Sequence, residues 1–262
     1  MVHVLGIDIG SAFSKAVVCA DGEIKAYAVA PSGGNYGETA ERIRGEAVGK
    51  IGLSPDDVSF TVATGYGSAA VEFSDETVTD ISCQAKGIHR LFPKAQTVID
   101  IGGQFSKVIK IDEDGRVTNF ILNEKCAAGS GKFLQVITRL LHIEIGDIGR
   151  LSLKSQKPVE FNTGCAVFAE SEAVSRIAEG ALVEDILAGV HKAMASKIVN
   201  LVERTGPAGM CAVTGGGAKD IGLVKAIETE LGITLLVPAE PQITAAFGAA
   251  LLAAEKAPHS RT

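Results

Sequence analysis

The chain has 262 residues, enough for two α/β lobes with separate cores, and its apolar content of 46% with no tryptophan suits a compact soluble protein. A net charge of −6 with no basic run argues against nucleic acid or an anionic membrane as the main partner, and no apolar stretch approaches the roughly 18 uninterrupted residues of a spanning helix. Five cysteines, an odd number in a chain that opens on a strand pattern and not a signal peptide, read as thiols or metal ligands and place the protein in the cytoplasm.

In chain order, Val2 to Ile7 and Ala16 to Cys19 are β-rich runs flanking a glycine turn, and Asp21-Gly22-Glu23 is a hairpin signal before a third strand, Ile24 to Val29. A Gly/Ser/Asn loop from Pro31 to Tyr36 precedes apolar residues at helical spacing over Glu38 to Ile51, a surface helix. Val58 to Thr64 reads as a strand ending in Gly65-Tyr66-Gly67, either a structural turn or a ligand-facing one at the carboxyl edge of a sheet. Asp80 to Leu91 is helical by pattern, stops before Pro93 and makes a crossing element between the lobes, with Cys83 a buried small residue inside it.

The pattern then repeats. Thr97 to Ile99 and Val108 to Ile111 flank a second glycine turn, Asp112-Glu113-Asp114-Gly115 makes the matching hairpin, and Arg116 to Leu122 is the third strand. Beyond it, Gly129-Ser130-Gly131-Lys132 leads a helix to about Leu141; a P-loop is rejected because Cys126 stands where that motif needs glycine and Phe133 where it needs Ser or Thr. A short turning segment over Ile143 to Leu153, a strand over Val159 to Asn162, a helix from about Ala166 to Glu179 and a long helix over Val183 to Leu201 follow. Met210 to Thr214 is a strand running into Gly215-Gly216-Gly217, which suits close approach of an adenosine or ribose. A helix over Lys225 to Leu231, a strand over Thr234 to Val237, an Ala-rich helix over Ile243 to Ala257 and a disordered tail from Pro258 complete the chain.

The chemistry lies in the repeat. Asp8-Ile9-Gly10-Ser11-Ala12-Phe13-Ser14-Lys15 is written again as Asp100-Ile101-Gly102-Gly103-Gln104-Phe105-Ser106-Lys107. At such strand-ending turns, glycines admit a ligand to the backbone N–H groups, and the aspartate can hold a hydrated divalent cation. Two copies facing one cleft would grip one polyphosphate from both sides. Cys126 and Cys165 each stand ahead of a helix, where the positive dipole end favours thiolate; on the residues alone they are either two unrelated packed cysteines or half of a four-cysteine iron–sulfur site completed by a twofold partner.

The ordered set of two Asp-Ile-Gly turns, a linking helix, a Thr-Gly-Gly-Gly loop and a small-residue closing helix resembles the acetate and sugar kinase, Hsp70 and actin superfamily. Within it, Asn123 to Gly131, the run Cys165 to Glu172, Ala63-Thr64-Gly65-Tyr66-Gly67 and Ile81-Ser82-Cys83 resemble the signatures of the BadF/BadG/BcrA/BcrD ATPase family, the activators of 2-hydroxyacyl-CoA dehydratases and the ATPase subunits of benzoyl-CoA reductases. The resemblance implies a duplicated, ribonuclease H-like, two-lobed α/β fold: a first lobe over residues 1–94, a second over 95–242 carrying the cluster cysteines, and a C-terminal helix over 243–257 at the lobe junction. It further implies a cytoplasmic homodimer with one 4Fe-4S cluster per dimer held by Cys126 and Cys165 of each chain. Mg-ATP or Mg-ADP would sit with Asp8, Asp100 and Gln104 as catalytic residues; Gly10, Ser11, Ala12, Phe13, Ser14, Lys15, Gly102, Gly103, Gly215, Gly216 and Gly217 would bind it. ATP use would drive an electron from a ferredoxin or flavodoxin into a dehydratase or reductase component, with no nucleic-acid or membrane partner.

One departure stands out: most activators carry Asp where this chain has Phe105, which bears on magnesium binding, hydrolysis rate or the partner served. A small-molecule kinase of the same superfamily, or a nucleotide-switched scaffold, are the rival readings. The kinase would have no use for a cluster; the scaffold would bind ATP and change shape without electron transfer.

Overall fold

The computed structural model describes residues 2–123, 129–161, 166–206 and 209–258. In chain order the elements are β1 (His3–Ile9), β2 (Phe13–Ala20), β3 (Glu23–Pro31), α1 (Tyr36–Gly49), β4 (Val58–Thr64), β5 (Glu76–Thr77), α2 (Asp80–Leu91), β6 (Thr97–Ile101), β7 (Ser106–Ile111), β8 (Val117–Asn123), α3 (Gly131–Leu141), α4 (Ile148–Ser152), α5 (Ala166–Ala178), α6 (Val183–Thr205), β9 (Cys211–Thr214), α7 (Ile221–Leu231) and α8 (Thr244–Lys256). They form two compact units. One comprises residues 1–95, 111–118 and 238–262; the other comprises 96–110 and 119–237.

The first unit is built on a sheet of order β3-β2-β1-β4-β5, with β1 antiparallel to β2 and parallel to β4. Asp21 and Gly22 both adopt positive φ, 54° and 73°, as a tight hairpin between twisted strands requires. Strand β1 is covered on both faces, and its side chains alternate between them. Leu5, Ile7 and Ile9 join Ile43, Ala47 and Val48 of α1 in one core; Val4 joins Val62, Cys83 and the alanines of α8 in the other. Small residues set the spacing of the second layer. A Cβ on Gly6 would stand 2.0 Å from the Ala246 carbonyl oxygen, and one on Gly248 would stand 1.8 Å from that of Cys83, so α8 lies backbone to backbone against β1 and α2.

The second unit has the sheet order β8-β7-β6-β9, with β6 antiparallel to β7 and parallel to β9. Ile99, Ile101, Val108 and Val213 of the sheet pack with Phe133, Ile137, Leu187, Val190 and Met194 from the helices in a single core. Two expected strands are absent here. Val159 and Phe161 run beside α6: the Val159 N–H donates to the Asp185 carbonyl at 2.9 Å, and a Cβ on Gly189 would meet the Val159 carbonyl at 2.1 Å, so the alternation serves a helix contact and not a sheet. Asn162, the last residue expected there, lies outside the described residues, as do 259–262 of the expected disordered tail. The Thr234 to Val237 segment makes a single parallel bridge, Leu236 to Ala212, and is cut off by Pro238, which has no N–H to continue a ladder. Helix α7 begins earlier than its apolar pattern suggests, because Asp220 caps it by accepting from the N–H groups of Gly222 and Leu223.

These contacts predict opposite outcomes for two Gly→Ala changes. Gly248→Ala should lower stability by about 2 kcal/mol or more through overpacking. Gly45→Ala, in an exposed position of α1 with nothing near its Cβ, should raise stability by about 0.5 to 1 kcal/mol. Thermal unfolding of both variants measures the two signs; a stable Gly248→Ala protein would contradict the α8 packing.

Candidate functional site

The duplicated motif folds into the same structure twice. Asp8 pairs across the hairpin with Lys15, and Asp100 with Lys107, because six residues separate each pair and the turn between consumes the middle. Lys15 Nζ lies 2.8 Å from Asp8 Oδ2, and Lys107 Nζ lies 3.4 Å from Asp100 Oδ2. All four side chains are largely buried, so each pair acts at a lower effective dielectric than a surface pair would. The turns also close alike. Gly10 N–H donates to the Phe13 carbonyl at 3.2 Å, and Gly102 N–H to the Phe105 carbonyl at 2.9 Å. Phe105 is therefore the internal counterpart of Phe13, and its backbone does the same work.

The likeness continues onto the neighbouring parallel strand. Thr64 lies opposite Asp8, and Thr214 opposite Asp100. After each threonine the chain turns through a glycine at positive φ, 89° at Gly65 and 82° at Gly215. A Cβ on Gly65 would stand 2.3 Å from Asp8 Oδ1, and one on Gly215 would stand 2.5 Å from Asp100 Oδ1. The next glycines repeat the match: a Cβ on Gly67 would strike Ile9 Cγ2 at 2.5 Å, and one on Gly217 would strike Ile101 Cγ2 at 2.3 Å. So Gly65-Tyr66-Gly67, which the sequence left open between a structural and a ligand-facing turn, is the first unit's copy of Gly215-Gly216-Gly217. The signal that could have found it is Thr-Gly-x-Gly at the end of the parallel strand in both halves.

Ser11 and Ala12 lie half-buried between the two strands of the first turn, with Phe13 partly exposed and Ser14 buried; Gln104 is exposed on the second turn. The N–H groups of Gly131 and Lys132 donate to the carbonyls of Gly102 and Gly103, at 2.9 and 2.8 Å. They are thus engaged with the protein's own backbone and do not cradle a phosphate as P-loop amides do. The two expected metal ligands, Cys126 and Cys165, lie outside the described residues. Among the described residues no group of three or more His, Cys, Asp or Glu side chains could hold a metal ion.

The other three cysteines are buried. Burial pushes the thiols of Cys19 and Cys83 up to about 12, and that of Cys211 up as well, which keeps them neutral and poor as ligands. A Ser152–His191–Asp220 arrangement, missed from sequence, is equally inward: His191 Nδ1 is 2.9 Å from Ser152 Oγ, and its Nε2 is 2.8 Å from Asp220 Oδ2. His191 is 1% exposed, out of reach of any substrate, so the cluster ties α4, α6 and the start of α7 together.

Two like units, each a three-stranded meander with a phosphate-type turn and a parallel strand ending in Gly-x-Gly, define the actin, Hsp70 and sugar-kinase class of fold. A ROK-family glucokinase from Streptomyces griseus, solved with glucose and AMPPNP, superposes with a TM-score of 0.59 over 97% of this chain and 99% of its own at 14% identity, a likeness of fold alone. The chain belongs to the BadF/BadG/BcrA/BcrD ATPase family, whose model matches residues 5–253, and it is an ATPase. It is similar to the (R)-2-hydroxyglutaryl-CoA dehydratase activating ATPase of Acidaminococcus fermentans, 40% identical over 98% of this chain and 98% of that one. The structure of the activator of the 2-hydroxyisocaproyl-CoA dehydratase from Clostridium difficile with bound ADPNP superposes with a TM-score of 0.93 at 38% identity, over 97% of this chain and 95% of the other. Among the described residues no helix is long and apolar enough to cross a membrane.

The buried thiols carry a prediction. A folded-state value near 12 against an ordinary 9 lowers the thiolate fraction at pH 8 by roughly a thousandfold. Native protein treated with iodoacetamide at pH 8 should leave Cys19 and Cys83 unmodified for hours, whereas the unfolded chain is alkylated within minutes. The sign for stability follows: these thiols favour the fold fully below their unfolded value, and that contribution is lost as pH rises toward 12. Peptide mapping that found either residue modified in folded protein would contradict the assigned burial.

Proposed function

We propose that the chain is an ATP-dependent electron activator, a cytoplasmic homodimer that uses ATP to drive an electron from a ferredoxin or flavodoxin into a 2-hydroxyacyl-CoA dehydratase or a related reductase component. The observation that carries the nucleotide half is the twice-built constellation of aspartate, cross-strand lysine and crowding glycine. Asp8 and Asp100, at strand ends, suit a Mg2+ that keeps several waters and takes the rest of its shell from phosphate. Lys15 and Lys107 offer positive charge beside them. The Gly10 and Gly102 amides close their turns, the amides of Ser11 and Ala12 and of Gly103 and Gln104 would face the phosphates, and the Gly215 to Gly217 loop would take the nucleoside end. Exposed Gln104 orients the attacking water. Phe105 supplies a carbonyl to its turn and no carboxylate, so Asp100 carries the acidic role of the second turn by itself.

For the electron half, the support is the run of residues around Cys126 and Cys165, the names of the similar proteins, and the chemistry of the remaining thiols. Cys19, Cys83 and Cys211 are held neutral in the cores, which leaves Cys126 and Cys165 as the pair that each chain would give to a 4Fe-4S cluster shared across the dimer. When bound, that cluster supplies a one-electron store. Neither nucleic acid nor membrane has a part in this reading.

The test joins two assays on anaerobically purified protein. Wild type should contain about four iron and four sulfide per dimer, lose them in Cys126→Ser or Cys165→Ser, and keep them in Cys19→Ser. Calorimetry should give Mg-nucleotide affinity at least about tenfold weaker in Asp8→Ala, about 1.4 kcal/mol. Iron-free wild-type protein that still bound nucleotide would contradict the activator reading and favour a small-molecule kinase.

A further inference from the structure

The two phosphate turns agree in front and differ in what holds them from behind. In the first unit, Ser32 in the loop after β3 donates its hydroxyl to the Gly10 carbonyl at 2.6 Å, stands 2.8 Å from the Ser14 hydroxyl, and donates its N–H to the Ala12 carbonyl at 3.0 Å. In the second unit the same place behind the turn is taken by a helix. The Gly102 carbonyl accepts from Gly131 N–H at 2.9 Å and the Gly103 carbonyl from Lys132 N–H at 2.8 Å, while Ser106, the counterpart of Ser14, donates its hydroxyl to the Gly129 carbonyl.

Two elementary facts give this difference a consequence. The first N–H groups of a helix have no partner inside it, so these two bonds satisfy donors that would otherwise be orphaned, and they fasten α3 to the turn. A trans peptide is planar, so the C=O of one residue and the N–H of the next point opposite ways. Pulling the carbonyls of Gly102 and Gly103 toward α3 therefore aims the N–H groups of Gly103 and Gln104 away from it, as Ser32 aims the N–H of Ser11. A ligand that tightens on those amides also pulls on the start of α3.

We infer that Gly131, Lys132 and Ser106 are positioning residues for the second phosphate turn, and that through them occupancy of that turn is felt at the start of α3, five residues after Cys126. The first turn is held from behind by a loop serine, Ser32, whose own carbonyl accepts from the Thr39 hydroxyl in the first turn of α1. The inference rests on reading both turns as nucleotide-binding and Cys126 as a cluster ligand.

Gly131→Pro is the discriminating variant. Proline is well accepted at the first position of a helix, and Ser130, at φ −122° and ψ 161°, already has the extended backbone that a residue before proline adopts. The N–H to Gly102 is then gone, and the ring Cδ, standing where that hydrogen was, holds the Gly102 carbonyl off the helix start. Hydrogen exchange of the 132–141 backbone is followed in the full-length protein, purified anaerobically with its iron, without nucleotide and at saturating Mg-ADPNP. Wild type should show about fivefold slower exchange in the first turn of α3 on saturation, the equivalent of one hydrogen bond strengthened; Gly131→Pro should show less than about a twofold change. Ser32→Ala should weaken nucleotide binding yet keep the α3 response once saturated, which a merely structural loss at either turn would not produce. If Gly131→Pro fails to fold, Ser106→Ala gives the same comparison, with the response expected to fall by at least about half. A full response in the variant, or nucleotide binding in wild type with no response in α3, overturns this inference alone. Wild type that binds no nucleotide overturns the underlying reading as well.

Discussion

The constraint on which this structure depends is the closeness of a glycine to a carboxylate. Gly65 and Gly215 each lie so near an aspartate at the end of the central strand that no side chain could stand there, and each takes a left-handed conformation that only glycine adopts without strain. The close approach places the loop after the parallel strand beside the turn between the antiparallel ones. It thereby gathers backbone N–H groups, a carboxylate and a cross-strand lysine at one sheet edge. The chain meets this requirement twice, and the rest of each unit serves to hold the edge in place.

What surrounds the edges differs between the units. In the first, α8 lies on β1 through Gly6 and on α2 through Gly87 and Gly248, so the strand that carries Asp8 is backed by helices at van der Waals limit. In the second, the sheet is backed by the larger side chains of α3, α6 and α7, and a buried His191–Asp220 pair sits directly after the Gly215 to Gly217 loop. Asp220 uses one oxygen to cap α7 and the other to meet His191, so the end of the Gly215 to Gly217 loop is anchored at a fixed point of the core. Duplication supplied the two turns; divergence behind them gave the first a loop serine and the second backbone bonds from a helix start.

Much of this was legible in the sequence because the informative spacings are short. Six residues between Asp8 and Lys15, and again between Asp100 and Lys107, are enough to foresee a hairpin with the two side chains opposite, and the repeat identified both halves. The match of Gly65-Tyr66-Gly67 to Gly215-Gly216-Gly217 was harder to see, since Tyr66 replaces the middle glycine and the strands before them share little but threonine. Alternation misled at Val159 to Phe161, where the Val159 backbone and the Phe161 ring lie against α6 at the gap left by Gly189; period two marks an extended chain but does not say what lies beside it. The bonds from α3 to Gly102 and Gly103 were out of reach for a different reason: they join main-chain atoms, and no side chain encodes them.

The central claim is that nucleotide bound at the two aspartate turns alters the energy of an electron held by this protein. A redox titration of the anaerobic, iron-containing dimer measures it most directly, with no nucleotide, with Mg-ADP and with Mg-ADPNP. The account predicts three distinguishable midpoint potentials or, at the least, a separation of the ADPNP state by tens of millivolts, where about 59 mV corresponds to about 1.4 kcal/mol for one electron. A single potential in all three states, with nucleotide shown to be bound, would contradict it.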